Sequence, residues 1–129
     1  MAQTEIKYFT PQEANRTLPL VKQIVRDILN NASQIKIIAE SFGGNIENNH
    51  DIQRLIVEIN SFIKELNDIG CDYKDLNFQV GLVDFPTIID NEEVLLCWRS
   101  DEEDIRFYHG IEEGFTGRKP IPEEYFQNN

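Results

Sequence analysis

Four residues in the C-terminal half have side chains suited to metal or acid–base chemistry: Asp84, His109, Glu112 and Glu113. Aspartate, histidine and glutamate supply the oxygen and nitrogen donors that hold Zn²⁺, Mn²⁺ or Fe²⁺. Asp84 and His109 each close a β-rich stretch, so they can meet at one edge of a small sheet. In a metal site Glu112 would join them as a ligand and Glu113 would stand by as a base. No HxH or HExxH pattern is present, and His50 lies in a distant segment. The competing expectation is that Asp84 caps a turn at Pro86 while His109 bonds a local carboxylate. The sequence demands no cofactor, and a divalent metal is the one group these residues can hold.

Cys97 would be a nucleophile if His109 activated it. Alternation along Glu93–Arg99 sets Val94, Leu96 and Trp98 on one face and Leu95, Cys97 and Arg99 on the other. In the next stretch Ile105, Phe107 and His109 share a face. Ile105 and Phe107 are expected to join Leu96 and Trp98 over the helices. Arg106 and Tyr108 then neighbour Cys97 and Arg99, and His109 faces away from Cys97. A slip of one residue reverses this assignment. Cys97 is thus expected to be an inert core thiol, and no catalytic residue is assigned.

Arg99 and Arg118 can grip a carboxylate or phosphate through bidentate bonds, with Trp98 and Tyr108 as aromatic walls. Gly114–Arg118 can add a backbone nest for an anion. Internal ion pairs are the alternative, because residues 71–129 carry 14 acidic and 5 basic groups. The whole chain has a formal charge of −11, which repels phosphate backbones and argues against a nucleic-acid partner. No apolar run approaches the ~20 residues that span a bilayer. The opening residues lack a basic and an apolar signal region, so a cytoplasmic protein with reduced Cys71 and Cys97 is expected.

The elements that must position these residues begin with an apolar comb. Ala14, Leu18, Val21, Val25, Ile28, Ala32, Ile35, Ala39 and Phe42 repeat at steps of three and four, as do Ile52, Leu55, Ile59, Phe62, Leu66 and Ile69. That spacing predicts two helices packed as an antiparallel hairpin over 11–69. Thr10, Pro11 and Glu13 form a capping box, and Pro19 predicts a kink between a short helix at 11–17 and a long one reaching Phe42. Gly43-Gly44 stops the first helix, Asn49 or Asp51 caps the second, and Gly70 ends it. Leu20, Ile24, Leu29, Ile37 and Ile38 widen the first stripe beyond what one helix can cover. A sheet or a second subunit must do the rest.

Residues 77–109 read as a three-stranded antiparallel meander, with the first strand ended by Pro86, and 110–129 as an irregular tail. The fold class is therefore α+β in a single domain over 1–129. Three blocks then fall into a familiar order: Tyr8–Arg16 with Leu18-Pro19; Gly81–Pro86 with Cys97–Arg99; and Gly114-Phe115-x-Gly117-Arg118-x-Pro120. Together they resemble a small bacterial family known as domain of unknown function 2203. Tyr108 stands where that family tends to have tryptophan. The resemblance implies an α+β protein of the bacterial cytoplasm and brings no activity, cofactor or catalytic residue. The leading expectation is a non-enzymatic binding or assembly module that forms a homodimer through its helices. The alternatives are a small metal-dependent enzyme with an Asp/His/Glu site and an anion-binding domain.

Overall fold

The computed structural model describes residues 5–42 and 48–127. Two helices, α1 (Pro11–Ser41) and α2 (His50–Ile69), pack side by side. α1 opens as expected. The Thr10 hydroxyl accepts from the Glu13 amide at 3.1 Å, and the Glu13 carboxylate accepts from the Thr10 amide at 2.9 Å. The short and long helices expected on either side of Pro19 are one element, α1, running from Pro11 to Ser41. Pro19 is exposed, so the backbone bond it removes lies on the wet side, where water substitutes for it. Asn49 caps α2 through the Ile52 amide, and Gly70 closes it at φ 116°. The Gly43-Gly44 stop lies outside the described residues.

The sheet has five antiparallel strands where three were expected. β1 (Asp72–Tyr73), β2 (Leu82–Ile89), β3 (Glu92–Arg99), β4 (Phe107–Gly110) and β5 (Lys119–Pro120) lie in chain order. β1 and β5 have only two residues each, too few to show a period of two. The stretch read as an irregular tail therefore supplies a strand, together with short 3₁₀ turns at Phe115–Gly117 and Glu123–Phe126. β2 also runs through Pro86 instead of ending there. β1 pairs only with Val83 and Asp84, so β2 is an edge at Pro86 and needs no amide donor. β2 and β3 join through Asp90-Asn91, at φ 53° and 67°, the two-residue turn that suits twisted strands.

One face of the sheet packs on the helices. Val83, Phe85, Ile89, Leu96 and Trp98 share a core with Val21, Ile24, Val25, Ile28 and Leu66. The sheet thus covers Ile24 from the widened stripe, whereas Leu20 and Ile37 remain exposed. Gly81 is where this face comes nearest α1, and a Cβ there would collide with Val25 Cγ1.

The expected register of β4 is off by one. Leu96 pairs with Tyr108, Cys97 with Phe107, and Leu95 with His109. Tyr108, not Phe107, therefore leans on the core, and Phe107 and His109 share the opposite face with Cys97. The cause is Ile105. It is fully buried, but it precedes the strand, and its backbone bonds Asn15 of α1 instead of the ladder. Asn15 Oδ1 accepts from the Ile105 amide at 2.8 Å, and Asn15 Nδ2 donates to its carbonyl at 3.2 Å. Alternation counted from Ile105 therefore does not carry into β4.

Candidate metal centre

The sheet face turned away from the helices carries Asp84 on β2, Cys97 on β3 and His109 on β4. Asp84 and Cys97 are directly opposite one another in the β2–β3 ladder. β2 and β4 lie about 10 Å apart across β3, and the side chains of Asp84 and His109 lean inward to meet. All three are buried, at 4%, 1% and 3% exposure. Their donor atoms lie within 4.8 Å of one another. The segment after β4 roofs this face with Ile111, Glu113, Gly114 and Phe115, enclosing a cavity of about 180 Å³.

Hydrogen bonding fixes how His109 presents itself. Its Nδ1 lies 2.8 Å from the Gly110 carbonyl, which can only accept, so Nδ1 carries the proton. Nε2 lies 3.3 Å from Asp84 Oδ1, so a proton or a cation sits between the two atoms. Burial pushes the Asp84 carboxyl up, against the pull of His109 and Lys74. Burial also pushes the Cys97 thiol up to about 12. The Asp84 charge adds to this and the Arg118 guanidinium opposes it.

The donor set fits a divalent ion. Ligands about 2.0–2.3 Å from a tetrahedral Zn²⁺ stand roughly 3.4 Å apart, close to the Asp84–His109 separation. A backbone carbonyl on the far nitrogen is the usual way a ligating histidine is oriented. Thiolate, imidazole and carboxylate together suit Zn²⁺ best among common divalent metals, and three protein ligands leave a fourth position open.

The remaining candidates are distributed as follows. Glu113 lines the cavity, with Oε1 accepting the Gly110 amide at 2.7 Å. Glu112 is exposed and stands outside the cluster. Arg118 is held between the rings of Phe107 and Phe115, at 4.3 and 4.1 Å, and grips Glu102 with both terminal nitrogens at 3.0 and 2.8 Å. Arg99 Nε lies 2.9 Å from Asp101 Oδ1, an ion contact without hydrogen-bond geometry. Trp98 lies in the core under the opposite face, and its indole donates to the Glu102 carbonyl at 2.9 Å. Tyr108 also leans on that core. The four ligand-binding candidates therefore do not share a cavity.

Two residues escaped the sequence reading. Cys97 was set on the wrong side of His109 by the register error. Lys74 follows a strand too short to recognise, yet it lines the same cavity. The expectation of a purely non-enzymatic assembly module is overturned by this buried Asp84/Cys97/His109 cluster, which can coordinate a divalent metal.

Fold and site thus define an α+β protein with a candidate divalent-metal centre on the sheet face opposite its helices. A family model described as "Uncharacterized conserved protein (DUF2203)" matches residues 7–121, and the chain belongs to that family. No curated protein and no solved structure matches it. Among the described residues, no helix is long and apolar enough to cross a membrane.

Proposed function

We propose that this protein is a small divalent-metal-dependent enzyme, with Asp84, Cys97 and His109 as the ligands. The carrying observation is the His109 ring, oriented by the Gly110 carbonyl so that Nε2 faces Asp84 Oδ1 beside a buried thiol. A bound metal would supply Lewis-acid polarisation of a substrate oxygen or activation of water. Glu113 stands at the cavity wall with one oxygen tied to Gly110, leaving the other to accept a proton. Phe115 and Arg118 keep bulk water from the thiol side. Reduced, buried thiols fit a cytoplasmic setting. Exposed Ile37 on α1 and Val57 on α2 are apolar surface available for homodimer formation, which a solution mass of one chain at micromolar concentration would rule out.

Elemental analysis of protein purified without chelators tests the metal directly. Stoichiometric Zn²⁺, Mn²⁺ or Fe²⁺, lost in His109→Ala and Cys97→Ser, is expected. A metal-free protein that also fails to take up added Zn²⁺ or Mn²⁺ refutes the assignment.

A further inference from the structure

We infer that the ligand of this centre is a small organic anion, whose charged end pairs with Lys74 at the cavity mouth. This rests on the metal reading above and adds the chemical class of what binds.

The first observation is the state of the cations. Five basic residues lie in 71–129. Arg99, Arg106 and Arg118 are paired with Asp101, Asp104 and Glu102, and Lys119 lies 5.6 Å from the Tyr108 ring centroid. Lys74 makes no ion pair among the described residues, although this half of the chain holds 14 acidic groups. It lines the cavity together with Asp84. Lys74 is therefore the cation of this wall whose charge no described carboxylate takes up. Glu113, the other charged group of the wall, is tied to the backbone through one oxygen. Its Oε1 bonds the Gly110 amide, and its carboxylate fits so closely that a Cβ at Gly117 would lie 3.1 Å from Cδ.

The second observation is the character and size of the wall. Leu82, Leu95, Ile111 and Phe115 form its apolar part. Ile111 is 56% exposed at the mouth, an aliphatic side chain that the fold itself does not cover. At about 180 Å³ the cavity suits a small molecule of a few non-hydrogen atoms. An apolar body of a few carbons with one anionic end matches both walls.

The test uses the full chain loaded with Co²⁺, whose visible spectrum reports ligation at the metal. Butyrate is expected to perturb the spectrum saturably, with butyramide and inorganic phosphate at least tenfold weaker. Lys74→Ala should weaken butyrate at least tenfold and Lys74→Arg should restore it, each measured on the fully Co²⁺-loaded chain. Equal binding of butyrate and butyramide, an unaltered response in Lys74→Ala, or phosphate binding as tightly as butyrate overturns the inference alone. A chain that takes up no Co²⁺ overturns the metal reading and this inference with it.

Discussion

Both faces of the β2–β3–β4 sheet bury side chains at their centres, but by different means. The inner face meets two helices through side chains such as Phe85 and Leu96, fully buried and without polar atoms. The outer face meets a single irregular segment, and its central residues are Asp84, Cys97 and His109. Burial stabilises the first set and penalises the second. An apolar side chain gains from leaving water, whereas an ionisable one must give up its charge or find a partner. A fold retains such a patch when a ligand repays its desolvation, and the difference between the faces separates stability from chemistry.

That separation breaks most visibly on the inner side. Phe85→Ala should lower unfolding free energy by about 3–5 kcal/mol, read by urea denaturation, because the packed core cannot close over the void. A loss below about 1 kcal/mol would mean that the inner face is not the structural one. On the outer side, His109→Ala or Cys97→Ser should lower Zn²⁺ affinity at least about 100-fold by competition with a chelator. Affinity in the parent protein should rise by about tenfold per pH unit for each proton displaced, since metal must remove the proton of a thiol held up to about 12. A pH-independent affinity would exclude Cys97 as a ligand.

Gly81→Ala tests the contact between layers. The added methyl meets Val25, so a loss of about 1–3 kcal/mol is expected with Zn²⁺ uptake retained. The smallest effect sharpens the comparison most. The folded Asp84 carboxyl is pushed up, so the native state binds more protons than the unfolded one between the ordinary and the raised value. Stability from this group therefore falls as pH rises through that window, and the penalty is complete above it. Asp84→Asn should make the metal-free protein more stable at neutral pH, with the advantage vanishing in acid, while abolishing metal uptake. Thermal melts at two pH values check the sign.

Much of the architecture was legible because it is repetitive or local. The apolar comb, the Thr10–Glu13 box and the Asn49 and Gly70 caps each act within a few residues. Pro19 misled because a proline on the exposed side of a helix is tolerated. The two-residue strands at Asp72 and Lys119 carry no periodicity to read. Of the site, Asp84 and His109 were visible as residue types at strand ends. Their convergence with Cys97 was not, because Ile105 is buried by a contact with Asn15 ninety residues away in sequence, and that contact sets the register. Lys74 was invisible for want of any pattern around it.

Glu102 touches both faces at once. Its carboxylate takes the Arg99 amide at 2.8 Å and clamps Arg118 over the outer side, while its carbonyl receives the indole of Trp98 beneath the inner side. The chain's sole tryptophan is thereby joined through one residue to the arginine that lies over the outer side. Its emission is a label-free signal to follow as metal is added, from a chromophore that lies on the other side of the sheet.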